Sequence, residues 1–404
     1  MTDLLDLFHG KDDQGFPASH RDVLLTVMEK PSNQADIARR LAMSSAHVNA
    51  AVHALKKQGI LKVGREVSLA PEVGEAVAVG VDLGFNHTTV IARRVDRPFD
   101  QVVEVRNEFG ARRQLSKMLG DISDLIDEAL AGTGLPRERV LSAGVAVPRM
   151  IDPRTGTFTA PILPPWKRDD RPEREVSKLL GITAVMDNDA NLGALAEQAY
   201  GDTWIREKAS EGTSEKGKRA ETVIFVKAST GIGAGIMIGN SLFRGRRGMA
   251  GEIGHLTIDR EGVVCHCGGR GCLETIIGGD ALLAQVLRWK LPGSPDLPTL
   301  RALVDHAREG DAVCRRVVQD AGRTLGLGLA QLCTLLNPEI IVLGGPLADA
   351  GDMMLDRCRE TLLQYAMTGT VDQPVFDLRT ASLGQLSEAQ GALILGLRSL
   401  LSKI

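Results

Sequence analysis

Apolar residues recur at helical spacing three times between residues 20 and 58. His20 to Glu29 carries Val23, Leu24 and Val27. Gln34 to Leu41 carries Ile37, Ala38 and Leu41, and Ala46 to Gln58 carries Val48, Ala51, Val52 and Leu55. Each set falls on one face of a 3.6-residue helix. Pro31-Ser32-Asn33 separates the first two helices and Ala42-Met43-Ser44 forms the next turn. Ser45 is placed to cap the third helix, and Gly59 stops it. Two short extended pieces follow, Ile60–Val63 and Glu66–Leu69, joined at Gly64-Arg65, and Pro71 to Glu75 reads as a linker. Beyond it the pattern changes to strand, tight turn, strand: Ala76–Val81 and Thr88–Arg93. The same plan returns as Thr222–Lys227, the turn Ser229–Gly235 and Ile236–Ile238, which suggests two duplicated lobes facing one cleft. Helices are expected over Leu192 to Tyr200, Asp280–Trp289 and most of Asp305–Leu336, a buried strand over Ile340–Leu343, and a last helix over Ser387 to Leu401. Arg206 to Glu221 is polar, mixed in charge and reads as an exposed, mobile loop.

The first unit reads as helix, helix-turn-helix, hairpin: a winged helix-turn-helix. In such units the second helix of the pair lies in the DNA major groove. Its outward residues would be Ser45, Ala46, His47, Asn49, Ala50 and His53, of which Asn49 can pair with an adenine edge. From Gln34 to Arg65 the basic residues Arg39, Arg40, Lys56, Lys57, Lys62 and Arg65 stand against Asp36 alone. Phosphate contacts need such a local concentration of positive charge. A helical interaction module with a solvated basic face would share the pattern; the order of elements favours DNA. The outward face of the recognition helix carries no Arg, so base readout could lean on the wing.

Composition narrows the classes. At 404 residues, the chain is long enough for two or three domains and a large core. A net charge of −3 leaves no global electrostatic case for nucleic-acid or membrane binding, so a basic surface must be local. No run of 18 apolar residues is present, so no membrane helix is expected. The acidic start MTDLLDLFHGKDD does not resemble a secretion signal, and a cytoplasmic location is expected. Cys314, Cys333 and Cys358 are scattered and read as thiols in a reducing compartment. Aromatics make up 3%, which suits an α/β core better than a base-stacking surface.

The segment Gly251 to Glu274, GEIGHLTIDREGVVCHCGGRGCLE, holds the densest chemistry. Cys265, Cys267 and Cys272 follow His255, spaced C-x-C-x4-C, with Gly268, Gly269 and Gly271 letting the backbone fold around an ion. Thiolate and imidazole are the ligands Zn2+ prefers, and three thiolates with one imidazole close a tetrahedral site, which makes the zinc structural. The alternative is three buried thiols. Glu252 and Glu274 frame the segment; by themselves they would read as solvated charges.

The pattern H…CxCGxxGCxE after GEIGH resembles the ROK family, named for its repressors, reading frames and kinases. The resemblance implies an actin-like, two-lobed α/β fold of the sugar kinase and Hsp70 type over residues 76 to 404. The first lobe would span 76–187, completed by the C-terminal helix 387–404, and the second lobe 188–386 would carry the zinc site; 1–75 would be the DNA-binding domain. It also implies zinc ligands His255, Cys265, Cys267 and Cys272, and sugar contacts Glu252, His255, Glu274 and Asn188. Asp189, in the NDAN motif, would be the sugar contact that acts as general base if the chain is a kinase. The residues alone leave Asp189 as a helix cap and Asp187 as a cap or turn residue. ATP and Mg2+ would enter, in a kinase, near Asp82, Gly84, Thr230, Gly231, Gly233, Gly344 and Gly345. Several positions depart from the family pattern. Phe85 and Asn86 replace Gly and Thr of DxGGT, Ala228-Ser229 replaces Leu-Gly, Arg149 replaces a Gly at the sugar entrance, and Pro346 removes a donor. Leu163-Pro164-Pro165-Trp166 fits the family's substrate-side loop, with Trp166 either on a sugar face or half-buried. The expected function is a sugar-responsive transcriptional regulator, a repressor, acting as a homodimer or homotetramer on operator DNA. The alternative is an ATP-dependent hexose or N-acetylhexosamine kinase with an appended DNA-binding domain. A third reading is a DNA-bound scaffold with a vestigial sugar pocket, and Glu252, Asn188 and Asp189 weigh against it.

Overall fold

The computed structural model describes residues 16–41, 43–159, 165–206, 217–239, 241–288, 297–367 and 376–402. The periodic segments near the start form α1 (Ala18–Glu29), α2 (Gln34–Leu41) and α3 (Ser45–Lys57). Their apolar stripes meet: Val23, Leu24, Val27, Ile37, Val48, Val52 and Leu55 are buried together with Leu61 and Val67. Each large aliphatic side chain so buried contributes about 1.5–3 kcal/mol. The last two belong to a hairpin, β1 (Leu61–Val63) and β2 (Val67–Leu69). Ser32 and Val67 exchange backbone hydrogen bonds of 3.2 and 2.9 Å, tying the hairpin to the α1–α2 turn.

Two local expectations are corrected here. The cap of α3 is Ser44, not Ser45: its Oγ accepts the His47 N–H at 3.3 Å, so the helix starts one residue earlier than its apolar stripe. Residues 71–75 are not a plain linker. Pro71–Gly74 forms a one-turn helix, α4, with proline at a first-turn position where its missing N–H costs nothing. Arg139 donates to the Glu72 carbonyl at 2.7 Å and also to that of Glu75, holding this turn in place.

Two five-stranded sheets follow. The first runs in the order β5-β4-β3-β6-β7, from β3 (Val77–Asp82), β4 (Thr88–Arg94), β5 (Val103–Asn107), β6 (Val140–Val147) and β7 (Ala184–Asn188). Helices α5 (Leu119–Thr133) and α6 (Pro172–Leu180) connect its later strands. After α7 (Asp189–Tyr200) and a small ladder of β8 (Trp204–Arg206) with β9 (Gly217–Arg219), the second sheet repeats the plan. Its order is β12-β11-β10-β13-β14, from β10 (Thr222–Ala228), β11 (Ile232–Ile238), β12 (Ser241–Leu242), β13 (Ile340–Gly344) and β14 (Asp377–Thr380). In both sheets the first strand pairs antiparallel with the second and parallel with the fourth. The strand pattern therefore did mark a duplication. Helices α8 (Leu273–Ile277), α9 (Gly279–Leu287), α10 (Leu300–Glu309), α11 (Ala312–Leu336) and α12 (Asp352–Tyr365) pack on the second sheet around one apolar core, and α13 (Ser387–Ser402) ends the described chain.

The expected helix 305–336 is two helices, because Gly310 takes a left-handed φ of 106° and Asp311 caps the next one through the Cys314 N–H. The expected turn 229–235 is shorter: Ser229 N–H bonds the Gly231 carbonyl, and Gly233 and Gly235 already lie in β11. Gly235 serves packing, since a Cβ there would come 2.2 Å from the Ala190 carbonyl oxygen of α7. Of the polar loop 206–221, both ends pair as β8 and β9, and 207–216 lie outside the described residues, as do Trp289, Leu163 and Pro164.

The described residues divide into two compact units. One comprises those within Met1–Pro148, Asp169–Asp187 and Ala392–Ile404, the other those within Arg149–Arg168 and Asn188–Gly391. The N-terminal helices thus share a unit with the first sheet. Arg93 of β4, 1% exposed, donates to the Met28 carbonyl of α1 at 3.0 Å and to Arg97 at 2.8 Å. Helix α13 begins in the second unit and ends in the first. In the second unit it crosses α7 closely: a Cβ at Gly391 would stand 1.9 Å from the Leu192 carbonyl oxygen. Gly391→Ala is expected to cost about 1–3 kcal/mol, the usual penalty of forcing a methyl into a filled contact. Equilibrium urea unfolding checks it; an unchanged midpoint would show that α7 and α13 can part freely.

Candidate functional site

The cysteine segment folds as a knuckle. Ile253–His255 makes a 3-10 turn that sets His255, and isolated bridges pair Thr257 with Cys272 and Val264 with Arg270. Cys265 N–H bonds the Gly269 carbonyl at 2.8 Å, and Gly271 N–H bonds Val263 at 2.8 Å. Gly271 takes φ 58°, and a Cβ there would lie 1.4 Å from the Asp259 carbonyl oxygen, so only glycine closes this loop. The ligand atoms of His255, Cys265, Cys267 and Cys272 all come within 4.8 Å of one another. Cys267 and Cys272 Sγ are 3.7 Å apart, and Cys265 Sγ is 3.6 Å from His255 Nδ1. Tetrahedral zinc bonds of about 2.3 Å to sulfur and about 2.1 Å to nitrogen put ligands about 3.8 and 3.6 Å apart, so this donor set fits the ion. Burial and the neighbouring sulfurs push the Cys272 thiol up to about 12, a field that a divalent cation would reverse. This cluster could hold a metal ion.

Carboxylates gather beside the knuckle. His255 turns its other nitrogen, Nε2, toward Glu252 Oε2 at 4.0 Å. Burial, then Asp189 and Glu274, push the Glu252 carboxyl up to about 8. Glu274, in the first turn of α8, accepts the Ile232 N–H at 3.0 Å through Oε2. Its Oε1 lies 3.7 Å from His266 Nε2, and the His266 ring meets that of His255 edge-on. His266 was missed in the sequence; its place inside the C-x-C step was the available signal.

Asn188 and Asp189 open α7. Asn188, not Asp189, is the cap: its Oδ1 accepts the Asn191 N–H at 3.1 Å, and its Nδ2 donates to the Arg149 carbonyl at 3.3 Å. Asp187 is neither cap nor turn but the penultimate residue of β7. Asp189 Oδ1 accepts the Ala190 N–H at 2.8 Å, and its Oδ2 accepts from the Lys227 ammonium at 2.9 Å. Lys227 also reaches Glu388 Oε1 at 3.3 Å. Nothing in the sequence pattern singled out Lys227 or Glu388. Arg149 is 5% exposed and stacks over the Trp166 ring at 5.3 Å; burial lowers its guanidinium to about 10, with Asp189 acting the other way. Trp166 is buried against Arg149 and Phe158.

Four of the five glycines read as nucleotide contacts have local packing roles. A Cβ at Gly84 would come 2.2 Å from the His87 ring, whose Nε2 lies 2.9 Å from Asp82 Oδ2. One at Gly231 would come 2.7 Å from Glu274 Oε2, so that glycine makes room for the Glu274 carboxylate. Gly344 faces the Phe225 ring, and Gly345 takes φ 83° against the Ala228 carbonyl. Gly233 meets only the Ala190 methyl at an ordinary 3.5 Å. Asp82 and Gly84 belong to the first unit; Thr230, Gly231, Gly233, Gly344 and Gly345 belong to the second.

On α3 the residues expected to face outward do so: Ser45, His47, Asn49, His53, Lys56 and Lys57 are exposed, as is Arg65 on the hairpin turn. Arg39 and Arg40 are exposed as well and are ion-paired with Asp36 and Glu29, respectively. Among the described residues, no helix is long and apolar enough to cross a membrane.

A family model described as "ROK family" matches residues 78–399. The chain belongs to the ROK family. Among its relatives, the xylose repressor of Caldicellulosiruptor bescii is 29% identical over 368 residues, 85% of this chain and 86% of that protein. The glucokinase of Streptomyces coelicolor is 31% identical over 285 residues, 67% of this chain and 84% of the glucokinase. The crystal structure of a ROK glucokinase from Streptomyces griseus with glucose and AMPPNP superposes with a TM-score of 0.64 at 26% identity, covering 80% of this chain and all of that one. A ROK transcriptional regulator described as a homologue of the E. coli MLC protein superposes with a TM-score of 0.70 at 20% identity, over 95% of this chain and 96% of that one, and shares the fold. The paired five-stranded sheets are thus the α/β ROK fold of sugar kinases.

Proposed function

We propose that this chain is a sugar-responsive transcriptional regulator, a repressor, that binds operator DNA through a winged helix-turn-helix in residues 1–75 and senses a sugar or sugar derivative in its ROK domain. The supporting observation is α3, whose apolar stripe is buried while Ser45, His47, Asn49, His53, Lys56 and Lys57 stand outward. That is the arrangement of a recognition helix, with Arg65 on the wing. The lengths of the relatives agree: the repressor aligns over 85% of this chain, the glucokinase over 67%. Paired operator half-sites imply a homodimer or homotetramer.

The sugar contacts in this reading are Asn188, Asp189, Glu252, His255 and Glu274. Carboxylates supply the acceptors that a polyol's hydroxyls need, and the half-buried His255 imidazole offers a donor to a sugar oxygen. His255 through Nδ1, with Cys265, Cys267 and Cys272, would hold Zn2+, which when bound ties the loop that carries these groups. Nδ1 on the metal side leaves Nε2–H facing Glu252 and the ligand. Glu252→Ala is expected to weaken sugar binding roughly 10- to 100-fold, as loss of a hydrogen bond to a charged or buried carboxyl costs about 1.5–3 kcal/mol. Isothermal titration calorimetry checks this; an unchanged Kd would remove Glu252 from the site.

The second reading, an ATP-dependent sugar kinase with a DNA-binding head, is favoured by Asp189 at the start of α7 and by the glucokinase relatives. In it Asp189 is the base, and Asp82, Gly84, Thr230, Gly231, Gly233, Gly344 and Gly345 border ATP and Mg2+. Both Asp189 oxygens already accept hydrogen bonds, from Lys227 and Ala190, so a sugar hydroxyl must share them. The two readings part on ADP release with ATP, Mg2+ and a panel including D-xylose and D-glucose. The regulator binds sugar without turnover. Sugar-dependent release at the roughly 1–100 per second of kinases would make it an enzyme.

A further inference from the structure

Lys227, Asp189 and Glu388 are 8%, 7% and 4% exposed, so one ammonium is shared by two carboxylates away from water. The sharing is unequal, 2.9 Å to Asp189 and 3.3 Å to Glu388. Asp189 opens α7, and Glu388 lies in the first turn of α13. The same two helices are clamped a second time. Glu197 of α7, 1% exposed, accepts from Ser387 Oγ at 3.0 Å, Leu383 N–H at 2.9 Å and Ser382 Oγ at 2.9 Å. Gly391 of α13 closes on the Leu192 carbonyl. The start of α13 is therefore held by the helix that presents Asp189 and by Lys227 of β10. Its far end belongs to the other unit. There a Cβ at Gly396 would come 2.8 Å from the Ala143 carbonyl carbon of β6, and a Cβ at Gly144 would come 1.9 Å from the Ala392 carbonyl oxygen. Arg398, near the end of α13, lies close enough for its charge to act on the Asp22 carboxyl of α1, which burial pushes up and Arg21 and Arg398 pull back.

We propose that Lys227 is a positioning residue that couples the sugar site to α13, and through α13 to the DNA-binding head. The inference rests on the reading of Asp189 as a sugar contact. Hydroxyl donors that settle on Asp189 take a share of the negative charge that holds Lys227. The ammonium then leans toward Glu388, in a site too dry for water to compensate. The first turn of α13 feels that change directly, and the helix is continuous into the unit that holds α1 to α3. A ligand with this differential contact shifts the equilibrium between two settings of α13; one that leaves Lys227 alone does not. The arrangement also explains why a sensor would keep the family's aspartate: its carboxylate serves as the ligand's contact and as the input of the link.

The test uses the full-length protein, a DNA duplex that the protein itself selects from a random-sequence pool, and whichever of D-xylose and D-glucose binds more tightly. Sugar affinity is read by calorimetry, and duplex affinity by fluorescence anisotropy with and without saturating sugar. Glu388→Gln keeps the shape and leaves the Lys227–Asp189 pair intact. Lys227→Met with Glu388→Gln removes the link while preserving the cluster's net charge. Glu388→Gln is expected to bind sugar within about threefold of the parent, and both variants to lose at least about tenfold of the sugar-induced change in duplex affinity, within the usual 5- to 150-fold range of allosteric coupling. Lys227→Arg, which keeps the charge, should retain part of the response. A parental response in Glu388→Gln overturns the coupling role even if the double variant fails to fold. A parent protein whose duplex affinity ignores sugar sinks the functional reading itself, and this inference with it.

Discussion

Cys267→Ser is expected to strip zinc from the protein and lower its melting temperature by about 10 °C or more. Cys267 is exposed, and its Sγ accepts the Gly269 N–H at 3.3 Å and lies 3.7 Å from Cys272 Sγ. A serine hydroxyl can accept that bond and is well solvated, so without a metal the exchange should change stability by less than about 0.5 kcal/mol. With a metal the result differs, because structural Zn2+ contributes about 10–16 kcal/mol of folding free energy in small zinc modules. Losing one of four ligands forfeits a sizeable share, against whole-domain stabilities of about 5–15 kcal/mol. Each kcal/mol moves the melting temperature roughly 2–4 °C in a unit of this size. The buried alternatives, Cys265 and Cys272, would mix this effect with packing, which is why the exposed cysteine is the better probe. Zinc content by atomic emission and the melting curve are read together. One zinc per chain in both proteins, with equal melting temperatures, would contradict the four-ligand site.

Replacing Lys56, Lys57 and Arg65 by alanine together is expected to cut affinity for any duplex several-hundred-fold at about 0.1 M salt. The fall should be nearly independent of sequence. Each phosphate left without its cationic side chain reduces the slope of log K against log salt by about 0.9, so three such phosphates flatten it by about 2.7. Asn49→Ala should act differently. It leaves the slope unchanged and costs about 1–3 kcal/mol only on duplexes bearing the base pair it reads. The contrast separates positioning contacts from base readout on one helix. A triple variant with the parental slope would show that DNA binds elsewhere or not at all.

The first three helices were readable in advance because each packs on neighbours close in sequence, so its period reports its buried face. The His/Cys cluster was readable for a similar reason, since all four donors fall between His255 and Cys272. What was not legible depends on distant pairing. Lys227 and Asp189 are 38 residues apart, and Glu388 comes from the last helix. No local pattern marks a lysine in a buried strand as the partner of two carboxylates. Gly231 and Gly84 illustrate the converse. Each is read as a nucleotide contact from its place between strands, and a Cβ at either would also meet the Glu274 carboxylate or the His87 ring, a packing role that no local pattern announces. The cap of α3 is one residue earlier than expected and the expected linker at Pro71 holds a helical turn, because backbone N–H satisfaction, not the apolar stripe, decides where a helix begins.

The central claim, that sugar occupancy in the ROK domain sets the affinity of the N-terminal helices for DNA, is tested most directly by one titration. The parent protein is bound to its selected duplex at fixed salt, and fluorescence anisotropy is followed as D-xylose or D-glucose is added. The account predicts a saturable change in duplex affinity of about 5- to 150-fold, at a sugar concentration matching the calorimetric Kd. A duplex affinity that stays constant while sugar saturates its site would contradict it.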